Sequence, residues 1–316
     1  MRVVVVGSGI SGLSSAAALL DAGHQVTVCS DTPIEATTSY LAAAVWFPTA
    51  IARSPQTTEW STTTFAHLER QAATRTPGVR MRESLALYRE HPHVPSWSRL
   101  VRGFRDADDD ELPPTYRAGF RFRVPMVEMP IYLPWLKDSI TVRGARWMRC
   151  VIHHLDDLAD LAPDVIVNCA GLRAAHLVDD PRLVPIRGQI VRVTNPGLSM
   201  SVRDEAHPLG RAYVHPRSND CILGGSLQVG EWDVQPDPEL TRSILRRCQD
   251  LVPALADSAV VETLVGLRPG RETVRLELDT TTIPDTPVVH NYGHGGSGIT
   301  LGHGCATTVA DIVGRL

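Results

Sequence analysis

The chain has 316 residues, room for about two domains of roughly 150 residues each, which excludes a mini-protein held together by disulfides. Hydrophobic residues are 43% and charged residues 21%, which excludes collagen-like and disordered chains. The 31 Lys and Arg against 35 Asp and Glu leave a formal net charge of −4, so there is no basic field for nucleic acid or an anionic membrane, and a small molecule is the expected partner. The longest apolar stretches, Ser14–Leu20 and Leu41–Phe47, are too short to span a bilayer. Strand-like sequence begins at Arg2, leaving no room for a secretion signal, so a cytoplasmic location is expected. Cys29, Cys150, Cys169, Cys221, Cys248 and Cys305 are scattered without metal-ligand spacing and read as reduced core residues; no metal is expected.

Arg2–Val6 is a short β-branched run that ends in Gly7-Ser8-Gly9-Ile10-Ser11-Gly12 and passes into the Ala/Leu-rich segment Leu13–Ala22, which predicts strand, tight turn and helix. Gly23 stops the helix, and His24–Ser30 is a second strand ending at Asp31. Helices are predicted over Thr57–Arg75 and Met81–Glu90, followed by an acidic turn at Asp106–Glu111 and strands around Tyr116–Met126. A helix over about Tyr132–Ser139 leads to a strand near Arg146–Ile152, and the apolar strand Asp164–Cys169 closes at Ala170-Gly171. Ile186–Thr194 and Arg211–Gln228 read as antiparallel strands, the latter a pair joined at Ser218-Asn219. Asp237-Pro238-Glu239 opens a helix to about Leu251 with a capping acid and proline in the first position. Strands follow at Val260–Leu267, Glu272–Leu278 and Val288–Asn291, and a glycine-rich turn leads into a helix from about Gly298.

The glycine string sits between strand and helix, with Asp31 placed 19 residues after Gly12, and so meets the contextual requirements of a dinucleotide fingerprint. Gly7 permits the tight turn, Gly9 lets a pyrophosphate approach the backbone, and Gly12 lets helix and strand pack closely. Ser8, Ile10 and Ser11 present the helix N-terminus to the anion, and Asp31 can accept from ribose hydroxyls. Thr37-Thr38-Ser39 with Ala42-Ala43-Ala44-Val45-Trp46-Phe47-Pro48 resembles the D-amino-acid oxidase family, as do Val167-Asn168-Cys169-Ala170-Gly171 and Arg187-Gly188-Gln189. Val288-Val289-His290-Asn291-Tyr292-Gly293-His294-Gly295-Gly296-Ser297-Gly298, followed by Gly304-Cys305-Ala306, resembles that family's signature throughout.

The resemblance implies an α/β fold in which a Rossmann-type FAD-binding domain, residues 1–50, 143–185 and 284–316, is interleaved with an antiparallel-sheet substrate-binding domain, residues 51–142 and 186–283. It implies FAD as cofactor, held by the fingerprint and by Thr37, Thr38 and Ser39, then by Ala43, Ala44, Val45 and Phe47. Val151, Ala170 and Gly171 are further implied contacts, with Gly295, Gly296, Gly298, Ile299 and Thr300 near the C-terminus. On the substrate side it implies Arg275 as the carboxylate anchor, with Arg268 and Arg271 as neighbours, and Tyr213 as its partner. Ser297 and Gly296 are implied at the reacting centre. Leu209 stands where vertebrate members carry a lid tyrosine, and Leu227 where the D-aspartate oxidase branch carries an arginine. That favours neutral or apolar D-amino acids, although Arg211, His215 or Arg217 could supply a cation. The implied reaction is oxidative deamination with dioxygen, giving a 2-oxo acid, ammonia and hydrogen peroxide. D-aspartate oxidase is the nearest competing reading, with glycine or sarcosine oxidase, an inactive flavin-binding homologue and a nicotinamide dehydrogenase behind it, and a homodimer is left open.

Overall fold

The computed structural model describes residues 1–48 and 54–316; the expected domain boundary between residues 50 and 51 lies outside them. Among the described residues, six strands form one sheet in the order Arg275–Asp279, Val288–Tyr292, Val165–Asn168, Arg2–Val6, Gln25–Cys29, Arg146–Met148. All neighbours in it are parallel except the first pair. Val3, Val5, Val165 and Val167 are almost fully buried, as a parallel sheet covered on both faces requires. The helices Ile10–Asp21 and Gly298–Val313 pack against each other on one face, so the first and last segments of the chain share one layer.

The second sheet has nine strands among the described residues. Its middle runs Val184–Thr194, Asp220–Gly224, Ala212–Pro216, Ser201–Asp204, Val79–Tyr88, Ala118–Val127. The strand Val260–Gly270 pairs along the length of Val184–Thr194. Asp237 accepts from the backbone N–H groups of Glu239 at 2.8 Å and Leu240 at 3.2 Å, which fixes the start of the helix Pro238–Leu251 as predicted.

Two expectations differ from the structure. Met81–Glu90 is not a helix: Val79–Tyr88 is a strand in antiparallel register with Ala118–Val127 over ten positions and parallel to Ser201–Asp204. Ser84, Leu85, Ala86 and Leu87 are buried in succession, so the alternation that marks a half-exposed strand is missing there. The strand Arg275–Asp279, assigned by sequence to the substrate unit, pairs with Val288–Tyr292 in the six-stranded sheet. No described helix is long and apolar enough to cross a membrane. Each of the six cysteines is unpaired, and five are buried.

His67 on the helix Pro55–Ala73 stacks on His303 of the C-terminal helix, with ring centroids 3.4 Å apart. Burial, and then the neighbouring His303 and Arg70 charges, lower the His67 pKa to about 3; burial and Arg70 lower that of His303 to about 4. As pH falls below their ordinary 6.5, the unfolded chain takes up protons that the folded pair refuses, so stability falls from pH 6.5 toward pH 4. His67→Phe keeps a ring on His303 and is expected to flatten that dependence by close to one bound proton, checked by denaturant unfolding across this pH range.

Candidate active site

The carboxyl ends of the parallel strands lie along one edge of the six-stranded sheet, and a cavity of about 650 Å³ opens there. It runs from Ser30 and Asp31 past the glycine turn to Tyr213 in the second sheet. Gly7 has φ +108°, and a Cβ on it would lie 2.5 Å from the Cys169 carbonyl oxygen. Gly12 is not on the cavity wall; it packs against the Gly7 carbonyl, where a side chain would collide. Ile10 donates its backbone N–H to the Ser39 hydroxyl at 3.0 Å, and Thr38 donates to the Leu267 carbonyl at 2.9 Å, tying Thr37–Ser39 between the two sheets. Ser8, Gly9, Ser11, Thr37, Ala43, Ala44 and Val45 line the same wall.

At the near end Asp31 accepts from the Thr32 hydroxyl at 2.8 Å and from Arg173. Burial raises the Asp31 pKa, but these two partners outweigh it and hold the carboxyl below its ordinary range. The group is therefore an acceptor at neutral pH. Ala170 and Gly171 line this end, whereas Val151 does not: Cys150 and Ile152 make the wall, and the Val151 side chain is exposed.

The C-terminal turn enters beside the centre of the cavity. Gly295 donates to the Pro269 carbonyl at 2.8 Å, and Phe47 donates its N–H to the Thr300 hydroxyl at 3.2 Å. Gly295, Gly296, Gly298, Ile299 and Thr300 line the cavity, so the N-termini of the first and last helices both open onto it. Ser297 does not line it; the residue is buried and its hydroxyl has no protein partner. His294 is on the wall, and burial lowers its pKa to about 4, so the ring is neutral.

At the far end the structure places the expected arginines differently. Arg275, the expected anchor, does not reach the cavity. Its guanidinium donates to Tyr292 at 2.8 Å and to Glu277 at 2.6 Å and lies 3.5 Å from Asp279, in a separate pocket. Arg268 takes the cavity side: its guanidinium lies against Gly188, its stem against Gly296, and it donates to the Ser226 carbonyl at 3.0 Å. Tyr213 reaches the same place, its ring lying against Gly225 and stacked on His215 at 4.7 Å. Burial raises the Tyr213 pKa, so the hydroxyl keeps its proton. Burial and then Arg203 push His215 well below its ordinary value, leaving it neutral.

Arg203, passed over in the sequence, is 5% exposed and lines this end, with its guanidinium carbon 3.6 Å from the Phe47 ring centroid. Its nearest carboxylate is Glu205 at 3.9 Å, and its Nε is unpartnered. Glu205, Arg211 and Leu227 also line the cavity, while Arg217 is occupied by Asp220 at 2.5 Å. Leu209 is exposed and off the wall.

A parallel sheet whose glycine turn and two helix N-termini share one elongated cavity, closed at its far end by a second sheet carrying arginine and tyrosine, defines a dinucleotide-binding oxidoreductase. Residues 2–312 match the family described as FAD dependent oxidoreductase, and the chain belongs to that family. It is 46% identical to a D-amino-acid oxidase of Rubrobacter xylanophilus, over 99% of this chain and 96% of that protein. It is 36% identical to human D-aspartate oxidase, over 99% of this chain and 94% of that protein. A solved glycine oxidase from Geobacillus kaustophilus has the same fold, with a TM-score of 0.83, 19% identity and coverage of 99% and 95% of the two chains.

FAD is the cofactor, and the residues present fit it: backbone N–H groups at two helix starts suit a pyrophosphate, Asp31 suits a ribose, and glycine backbone suits a planar ring. Gly7→Ala adds a Cβ against the Cys169 carbonyl at a positive φ. It is expected to weaken FAD binding at least 100-fold, read from the quenching of free flavin fluorescence by apoprotein.

Proposed function

We propose that the protein oxidatively deaminates D-amino acids with neutral or apolar side chains, using dioxygen and releasing a 2-oxo acid, ammonia and hydrogen peroxide. The observation that carries this reading is the convergence of Arg268 and Tyr213 on the Gly225–Ser226 wall of the cavity. The full-length likeness to a protein named D-amino-acid oxidase supports it.

The guanidinium of Arg268 matches the fork of a carboxylate and fixes both its position and its plane. The protonated Tyr213 hydroxyl donates a further bond to the same group. With the carboxylate held, the remaining substituents on Cα are ordered by the cavity walls, Leu227 taking an apolar side chain. Neutral His215 and His294 add no charge beside the substrate amine, which as the free base needs no side chain to deprotonate it. FAD supplies the acceptor for the hydride leaving Cα. The chain's contribution is alignment and electrostatics.

A peroxide-coupled panel of D-amino acids, their L-enantiomers, D-aspartate and glycine tests the proposal. Turnover of neutral D-amino acids is expected; turnover confined to glycine, or of the L-enantiomers, would overturn it. Arg268→Met is expected to retain FAD and lose on the order of 2–5 kcal/mol in kcat/KM toward every substrate. Arg275→Gln should leave kcat/KM close to that of the parent.

Arg203 favours a second reading, an acidic side chain. A buried guanidinium with one distant carboxylate is incompletely compensated, and a substrate carboxylate would complete it. Under this reading D-aspartate or D-glutamate outperforms D-alanine, and Arg203→Leu reverses that order. If the neutral substrates are preferred and Arg203→Leu leaves the ranking intact, the second reading fails.

A further inference from the structure

Arg173 lies in the short turn Gly171–Arg173 that follows the strand Val165–Asn168. Its guanidinium donates to the Asp31 carboxylate through one nitrogen and to the Ile152 carbonyl, at 2.9 Å, through another. Asp31 follows the strand Gln25–Cys29, and Ile152 follows Arg146–Met148. In sheet order these three strands span four neighbours, Val165–Asn168, Arg2–Val6, Gln25–Cys29 and Arg146–Met148. From first to last that is three strand spacings, or roughly 14 Å. The link therefore runs across the carboxyl edge of the sheet, outside the glycine turn, where a dinucleotide lies in such folds. Arg173, Asp31 and Ile152 all line the cavity.

A purely structural role explains this arrangement poorly. The Arg173 side chain is 43% exposed and that of Asp31 25%, and ion pairs so open to solvent add little to folding. What the pair gains is its location: it joins the rims of a crevice rather than two packed elements. We propose that Arg173 is a clasp over the adenosine end of FAD, which holds the Asp31 carboxylate in place and must open for the flavin to enter or leave. The clasp depends on one side chain bonding two partners at once. The planar fork of arginine does this with little reordering, and the point charge of lysine does not.

The experiment measures flavin release from holoprotein, without substrate, so its outcome is independent of which amino acid the enzyme oxidises. FAD-loaded parent, Arg173→Ala and Arg173→Lys are diluted far below the dissociation constant, and the rise of free FAD fluorescence is followed in time. Arg173→Ala is expected to release FAD about tenfold faster than the parent, with Arg173→Lys close behind it. Thermal unfolding of the three apoproteins at matching temperatures would accompany the faster release. Release from Arg173→Ala within twofold of the parent would overturn the clasp. Restoration of the parent rate by lysine would overturn it too, since charge alone would then suffice. A loss of apoprotein stability in Arg173→Ala matching its gain in release rate would assign the effect to folding and reject the proposal.

Discussion

Parallel pairing is the constraint on which the rest of the structure depends. Because Arg2–Val6, Gln25–Cys29, Val165–Asn168 and Val288–Tyr292 all run the same way, their carboxyl ends meet at one edge. Each end then delivers a different piece of the site: the glycine turn, Asp31, Ala170-Gly171 and the turn Gly293–Ser297. Residues 280 positions apart become neighbours, as the bond from the Ser11 hydroxyl to the Asn291 carbonyl shows at 2.8 Å. A reversed strand would have sent its turn to the opposite edge, away from the cavity.

The second constraint is the accounting of buried charge. Burying an arginine is costly unless its donors are met. Arg275 and Arg271 meet that requirement inside the protein, through Glu277, Tyr292 and Asp180, and form a structural network behind the cavity. Arg268 and Arg203 are less fully compensated: Arg268 donates to the Ser226 carbonyl and Arg203 has Glu205 at 3.9 Å, so two guanidiniums stand on the cavity wall although the chain carries a net charge of −4. The two histidines on the same wall are held neutral by burial and add no charge to it. At the opposite end Arg173 and Asp31 neutralise each other across the crevice.

Local patterns carried much of this in readable form. The fingerprint, the capped helix at Asp237 and the C-terminal glycine turn each depend on residues close in sequence, so their geometry follows from composition and spacing. Met81–Glu90 failed because burial on both faces erases the alternation that marks a strand, leaving a run that fits a helix equally well. Val151 and Ser297 stand off the cavity wall for a finer reason. Whether a turn residue faces a cavity or turns away depends on backbone torsions that its neighbours set from a distance.

The sequence by itself determined the nucleotide crevice, the cofactor class and the presence of an arginine-bearing strand near residue 270. The tertiary structure alone decided which arginine lines the cavity. Arg268 stands on Val260–Gly270, paired to Val184–Thr194 in the second sheet, whereas Arg275 stands on a strand paired to Val288–Tyr292 in the first. The chain changes sheets between them, so seven residues of separation carry no information about which side chain meets the cavity. Arg203 and Arg173 were invisible for the same physical reason. A lone arginine has no local pattern, and its role is set by the partners that long-range pairing brings to it or withholds.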